Sequence, residues 1–194
     1  LAAIATETDK QQKEKYIDQQ RLRDRLPKLS LYIDAGKCNV VSRAMSRFGY
    51  NFKSLFMDMA ASPAQGINGT MKLDSLVASG VRLDTIRLAF RSDSTKIGFN
   101  GDVINNKRNP QFVFNASFRG AFYKQSLFLG TRVFDDKNKL GFALGLRANM
   151  EPEGVRLTLG GIDPVIGYKK FKVNKGNYVF FANDSRITAD MSLR

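Results

Sequence analysis

Apolar residues alternate with polar residues or glycine along most of the chain after about residue 50, and this period of two predicts β-strands. An earlier run of the same kind begins at Leu29, and the clearest run covers residues 140–149. Its apolar positions are Leu140, Phe142, Leu144, Leu146 and Ala148. Short polar segments such as 105–110 and 135–138 separate successive runs. The pattern predicts an antiparallel meander in which short turns join the strands.

Residues 1–28 have a different composition, rich in Gln, Lys, Glu and Arg, which are good helix formers. A capping box at Thr6 to Asp9 precedes this stretch, and Pro27 ends it. We therefore expect one helix over residues 7–26, in a polar segment or linker that precedes a single β-rich domain at 29–194. Its apolar residues form only a thin stripe: Tyr16, Ile17, Leu22 and Leu26.

A second, short helix is predicted between the first strand and the meander, over residues 40–48. Asn39 can cap its start and Gly49 can close its end. Its apolar positions follow one broad stripe: Val40, Val41, Ala44, Met45 and Phe48. This helix is long enough to cover about two strands at one end of the sheet.

Each predicted strand has one apolar side, and a sheet of roughly ten such strands must place its apolar face against something. Burial of one large apolar side chain contributes ~1.5–3 kcal/mol, so a fully wetted face would cost more than the ~5–15 kcal/mol stability of a domain. The predicted helices are too few and too polar to cover it. The face must pack on itself, close into a barrel, or hold an apolar ligand.

Glycines recur within the strands, at positions 98, 101, 120, 130, 141 and 145, and they permit strong curvature. We therefore predict a mainly β fold: a curved antiparallel β-meander that forms a trough with an apolar lining. The side chains expected to line it are Ile97, Phe99, Val103, Phe112, Phe114, Phe118, Leu127, Leu129, Val133, Leu140, Phe142, Leu144, Leu146, Val155, Leu157, Leu159, Phe171, Val173, Ile187, Met191 and Leu193.

The composition argues against most kinds of enzyme. Histidine is absent, which removes the histidine-based catalytic and zinc sites, and Cys38 is the single cysteine, so no internal disulfide is expected. We expect no catalytic residues, no metal and no cofactor. The chain starts at Leu1 and has no apolar run of the ~18 residues that a membrane helix needs. We interpret it as a piece of a longer protein whose targeting and anchoring signals lie elsewhere.

The C-terminal part carries a family resemblance in four successive segments. These are Ile162 to Tyr168, Phe171 to Asn174, Asn177 to Phe180 and Ile187 to Leu193. With the preceding meander they resemble the C-terminal region of TamB (translocation and assembly module) proteins, although Phe171 stands where tryptophan is more usual. The resemblance covers about residues 50–194.

The resemblance implies a member of the AsmA-like superfamily of bridge-like lipid carriers, whose β-rich region is a β-taco, a long sheet folded into a U-shaped groove. It implies an inner-membrane anchor outside this piece, a location in the periplasm of a Gram-negative bacterium, and an outer-membrane barrel of the TamA or BamA type as partner. Phospholipid would be the cargo, and the roles would be lipid transport and outer-membrane protein assembly. No catalytic residue belongs to the family. Lys169, Lys170 and Lys172 could contact head groups, or they could simply form a solvated strand face.

Two other interpretations stay open. Alternating strands with short turns also suit an outer-membrane β-barrel, although tryptophan is absent and the loops are short on both sides. A net charge of +13 suits a nucleic-acid-binding module or an anionic membrane surface. Against nucleic acid, the basic strand residues fall opposite the main apolar row, and we expect no nucleic-acid partner. These residues are Arg119, Arg132, Arg147 and Arg156.

Overall fold

The computed structural model describes residues 2–14 and 18–194, apart from the side chains of Ile4 and Gln12. This part of the chain is mainly β, and its strands form one large antiparallel sheet that is curved and not closed. The predicted fold class is thereby confirmed. The helices are α1 (Ala2–Glu14), α2 (Gln19–Asp24) and α3 (Val40–Arg47). The strands are β1 (Leu29–Gly36), β2 (Tyr50–Asn51), β3 (Ser54–Ser62), β4 (Gly66–Ala78), β5 (Val81–Ser92), β6 (Lys96–Asn105), β7 (Phe114–Tyr123), β8 (Ser126–Phe134), β9 (Leu140–Glu151), β10 (Gly154–Leu159), β11 (Val165–Ile166), β12 (Lys169–Lys170), β13 (Tyr178–Ala182) and β14 (Ile187–Asp190).

Most strands pair with their neighbour in the chain, as a meander requires. The main path runs β1-β3-β4-β5-β6-β7-β8-β9-β10-β13-β14. Beside it, β2 pairs with β4, and the small hairpin of β11 and β12 joins the free flank of β9. Within the described residues, β1 and β14 are the two edges of the main path and do not pair with each other.

The register sorts the side chains into two faces, because residues directly opposite each other on paired strands point to the same side. One side, here named the apolar face, carries an unbroken set of large apolar residues from β1 to β14. Its members include Leu29, Leu31, Ile33, Leu55, Met57, Met59, Met71, Leu73, Ile86, Leu88, Phe90, Ile97, Phe99, Val103, Phe114, Phe118, Phe122, Leu127, Leu129, Val133, Phe142, Leu144, Leu146, Val155, Leu157, Leu159, Val179, Phe181 and Ile187. The opposite side is named the polar face.

Helix α3 covers one end of the apolar face, as expected. A capping box starts the helix. The Asn39 side-chain oxygen accepts a hydrogen bond from the Ser42 backbone N–H, and the Ser42 hydroxyl oxygen accepts one from the Asn39 backbone N–H. Val41 and Met45 pack on a core of Ala35, Phe52, Leu55 and Leu73. The stripe of buried apolar residues predicted for this helix was too broad, because the side chains of Val40 and Phe48 are 82% and 80% exposed.

The N-terminal segment forms two helices, so the prediction of a single helix over 7–26 was wrong. Asp18 has an extended backbone, and its carboxylate accepts hydrogen bonds from the backbone N–H groups of Gln20 and Arg21, which starts α2. The Gln11 side chain binds both backbone groups of Asp18, at 2.8 and 3.2 Å. Two residues of the predicted apolar stripe, Tyr16 and Ile17, lie outside the described residues.

Helix α2 lies against the turns at one end of the sheet. The Arg23 guanidinium donates to the carbonyl oxygens of Pro63 (2.9 Å), Ala64 (2.8 Å) and Asp93, although Arg23 is only 3% exposed. The backbone N–H of Gln19 donates to the Lys124 carbonyl oxygen at 3.4 Å. These bonds join α2 to the β3–β4, β5–β6 and β7–β8 turns. The helix therefore holds together one rim of the curved sheet.

Candidate functional site

The apolar face has little cover beyond β5. From β6 to β13, none of its large apolar side chains belongs to the buried core of the described residues, where Ala148 is the sole member from this stretch. The side chains are half-buried by their neighbours on adjacent strands, and Leu129 is 36% exposed. This stretch is therefore a continuous, open apolar surface across the middle of the sheet. Such surfaces on a folded protein commonly mark ligand or partner sites.

Most of the residues predicted to line a trough share this surface. The register places on the apolar face Ile97, Phe99, Val103, Phe114, Phe118, Leu127, Leu129, Val133, Phe142, Leu144, Leu146, Val155, Leu157, Leu159 and Ile187. The remaining six lie elsewhere, and each departure has a local cause.

Leu140 lies on the polar face, although the alternation placed it with Phe142. Val133 pairs with Phe142, and the next residue, Phe134, pairs with Leu140. Gly141 therefore has no partner on β8 and forms a β-bulge. One extra residue reverses the side to which the preceding residues point. Leu140 consequently packs against the small core of Ala143, Ile162 and Val165 on the polar face.

Phe112 precedes the strand on which it was predicted. The Asn109 side-chain oxygen accepts hydrogen bonds from the backbone N–H groups of Gln111 (2.9 Å) and Phe112 (3.1 Å), and this turn delays β7 until Phe114. Phe112 is 58% exposed and lies outside the apolar face.

The four remaining residues lie in the C-terminal part of the chain, where turns separate short strands. Val173 makes one isolated bridge with Leu193, and it lines a cavity on the polar face. Phe171 is held outside a strand, where its backbone N–H donates to the Pro164 carbonyl oxygen at 2.9 Å. Strand β14 ends at Asp190, so Met191 and Leu193 follow it as exposed residues.

The three lysines predicted near head groups fall in different places. Lys169 pairs with Ile166, which pairs with Phe142, so Lys169 lies at the border of the apolar face. Lys170 pairs with Val165 and lines the cavity of about 580 Å³ on the polar face. Lys172 is exposed, and its backbone pairs with Arg194. Of the three, Lys169 is the one beside the apolar surface.

The polar face carries the strand arginines, as the alternation predicted. Arg156 binds Glu151 at 2.6 Å and lies over the Tyr178 and Phe180 rings, at 4.6 and 5.0 Å from their centroids. The hydrogen bond that this guanidinium donates to the Glu151 carboxylate raises the pKa of Arg156. In the described part of the chain, Arg119, Arg132 and Arg147 have no carboxylate within ion-pair distance. The sheet thus separates a basic face from an apolar face.

Sequence reasoning missed a pocket at the α2 end of the apolar face. Leu26 and Pro27, just after α2, line a pocket of about 290 Å³ together with residues of β1, β3, β4 and β5. Its other lining residues are Leu29, Leu31, Met57, Met59, Ala60, Ala61, Ile67, Met71, Leu88 and Phe90. The alternation identified many of these residues as strand residues. It gave no signal that the segment after the helix would return to the sheet.

The described residues contain no group of three or more Cys, Asp or Glu side chains placed to hold a metal ion, and Cys38 is exposed. None of the described helices has the length and apolar character needed to cross a membrane. Comparison of the chain with protein-family models, curated proteins and solved structures finds no match.

Proposed function

We propose that this chain binds the acyl chains of phospholipids on its apolar face and acts as a non-enzymatic lipid-handling protein. The observation that carries the proposal is the open, continuous apolar surface from β6 to β13. Each large side chain on it leaves apolar area in water, and burial of such area is worth roughly 25 cal/mol per Å². A ligand that is itself hydrocarbon gains most from covering this surface.

The distribution of charge supports an amphipathic ligand. The apolar stretch has no charged member between Ile97 and Val155, whereas the polar face is basic. Lys169 lies at the border between apolar surface and solvent, where a phosphate could meet it while the acyl chains lie on the sheet. The ligand would therefore keep its head group at the edge.

The cellular setting of the proposal comes from the resemblance to TamB proteins. On that basis we propose that the longer protein lies in the periplasm of a Gram-negative bacterium and is anchored in the inner membrane. It would meet an outer-membrane barrel of the TamA or BamA type, and it would support phospholipid transport and outer-membrane protein assembly. No nucleic-acid partner is proposed.

Native mass spectrometry and lipid extraction of the purified chain test the proposal. The informative variant is Phe118→Asp combined with Leu157→Asp, which places two charges on the apolar face. The matched control is Asn100→Asp combined with Thr158→Asp, which places the same charges on the polar face of β6 and β10. Circular dichroism and thermal unfolding check that both variants are folded.

We expect co-purified phospholipid with the unchanged chain and with the polar-face control, and its loss from the folded apolar-face variant. Phospholipid that binds all three proteins equally would place the ligand elsewhere. A folded chain that takes up no lipid, even after incubation with phosphatidylglycerol vesicles, would overturn the proposal.

A further inference from the structure

The pocket lined by Leu26 and Pro27 differs from the rest of the apolar face because residues from outside the sheet form part of its wall. Leu26 is buried, and the open surface beyond β5 has no comparable cover in the described residues. The pocket lies on the same face and is open to it along Leu88 and Phe90. We propose that this pocket is the closed end of the lipid-binding surface and receives the methyl end of an acyl chain. This inference rests on the proposed function.

The lining decides what kind of ligand group the pocket accepts. All of its lining residues are apolar: leucine, methionine, isoleucine, alanine, proline and phenylalanine. A buried polar group without a hydrogen-bond partner is strongly penalised, so a head group or a glycerol backbone is excluded from this space. A space lined only by apolar groups offers a ligand no hydrogen-bond partner, so it favours hydrocarbon. The end of an acyl chain is the part of a phospholipid that meets this condition.

Three methionines give the pocket an adaptable wall. Met57, Met59 and Met71 lie on adjacent positions of β3 and β4 and line the cavity together. Methionine is unbranched and polarizable, and it is used at surfaces that accommodate ligands of varied shape. A pocket of this composition suits acyl chains that differ in length or unsaturation.

The pocket continues into the open surface without a polar interruption. Phe90 lines the pocket, and its ring centroid lies 6.5 Å from that of Phe99, its partner on β6. From Phe99 the apolar face proceeds to β7 and beyond. An acyl chain that enters the pocket with its methyl end would therefore lie along this surface, and its carboxyl end would point toward the middle of the sheet.

The chain contains no tryptophan, so one introduced indole reports its own surroundings. Three single variants of the whole chain place it in the pocket (Phe90→Trp), on the open apolar surface (Phe142→Trp), and on the polar face of β3, whose other side lines the pocket (Phe56→Trp). Each protein is loaded with phosphatidylcholine that carries bromine near either the methyl end or the carboxyl end of one acyl chain. Vesicles are removed by gel filtration before fluorescence is measured.

We expect methyl-end bromine to quench most of the Phe90→Trp emission, and carboxyl-end bromine to quench it weakly. Phe142→Trp should be quenched by bound lipid, and Phe56→Trp should keep its emission. Adding Leu26→Ser, which removes an apolar side chain from the pocket wall, should weaken the methyl-end quenching at position 90 and leave the quenching at position 142 unchanged.

The outcomes separate this inference from the proposed function. Quenching of Phe142→Trp with no more quenching of Phe90→Trp than of Phe56→Trp would overturn the pocket and leave lipid binding intact. Equal quenching of Phe90→Trp by both bromine positions would overturn the assignment of the methyl end. Absence of quenching in all three variants would count against the proposed function itself.

Discussion

Gly145 lies directly beneath Gly160: the Gly160 backbone N–H donates to the Gly145 carbonyl oxygen at 3.0 Å, and a Cβ added to Gly145 would stand 2.2 Å from the Gly160 carbonyl oxygen. Gly130 on the neighbouring strand has a similar role, since an added Cβ would meet Ile162 at 2.7 Å. The two glycines let the segment after β10 cross the polar face in contact with the sheet. Curvature of the strands alone therefore does not explain why glycine occupies positions 130 and 145.

The first prediction concerns that crossing. Gly145→Ala should force the segment away from the sheet and lower the free energy of unfolding by ~1–3 kcal/mol, the usual cost of overpacking. Gly160→Ala is the control, because an added Cβ there meets no atom within 4 Å, and it should stay within roughly 0.5 kcal/mol of the unchanged chain. Urea unfolding measures both, and equal stabilities would contradict the close approach.

The second prediction concerns Arg23. Removal of its guanidinium in Arg23→Met leaves the carbonyl oxygens of Pro63, Ala64 and Asp93 without their donor, which should cost ~1–3 kcal/mol. Hydrogen exchange should quicken at the amides of α2 and of the β4 residues next to the turn. Arg25→Met, at an exposed position in the same segment, is the control. Unchanged exchange at α2 in Arg23→Met would show that other contacts hold the helix.

Period-two alternation predicted the faces of β6 to β10 well, because consecutive strand residues point to opposite sides whatever lies around them. It failed where an irregular backbone residue reverses the side of the sheet to which the neighbouring side chains point. Gly141 is a bulge, and Ser75 has a left-handed φ of 54°, after which Leu76 packs with the core at the α3 end while Val77 is exposed. Serine gives no signal of such a shift, and glycine gives an ambiguous one, because Gly98 and Gly130 keep the regular pairing.

The helical segment shows a different limit. Its composition predicted helix correctly, but the break at Asp18 depends on the Gln11 side chain, which reaches the Asp18 backbone from the preceding helix. Leu26 likewise lines the same pocket as Phe90, which lies far along the chain. Such relationships between residues that are not neighbours in the sequence follow from the fold and leave no periodic signal.

The third prediction concerns pH. Burial raises the pKa of Asp74, but hydrogen bonds from Lys72, Thr85 and Ser54 outweigh this, so the pKa lies below its usual value of 3.8. A carboxylate with a lowered folded-state pKa adds stability above its unfolded-state pKa, and this stability is lost as the pH falls through the folded-state pKa. The stability difference between the unchanged chain and Asp74→Asn should therefore be constant near neutral pH and shrink below about pH 4.

Urea unfolding across a pH series measures that difference. Thr85→Val removes one of the donors to Asp74, so the folded-state pKa should rise toward the unfolded-state value. The loss of stability in this variant should therefore be smaller and should be complete at a higher pH. A difference between the unchanged chain and Asp74→Asn that does not depend on pH would show that the charge of Asp74 contributes nothing.

The fourth prediction separates two leucines that the alternation had placed together. Leu140 packs against Ala143, Ile162 and Val165 on the polar face, whereas Leu144 lies on the open apolar face opposite Thr131. Leu140→Ala should remove buried contacts and lower the free energy of unfolding. The usual range for leucine in a core is ~2–5 kcal/mol, and we expect a value near its lower end because Leu140 is partly exposed. Leu144→Ala should cost less, because its side chain is covered only by neighbours on adjacent strands.

For lipid uptake, a substitution at Leu144 should have a larger effect than one at Leu140. Leu144→Asp puts a charge where acyl chains are proposed to lie, and it should abolish co-purified phospholipid while the chain stays folded. Leu140→Ala should retain lipid at temperatures below its lowered midpoint, since Leu140 does not contribute to the apolar face. Thermal unfolding and lipid extraction on the same preparations measure both effects. If Leu140→Ala lost lipid while still folded and Leu144→Asp kept it, the ligand would belong on the polar face.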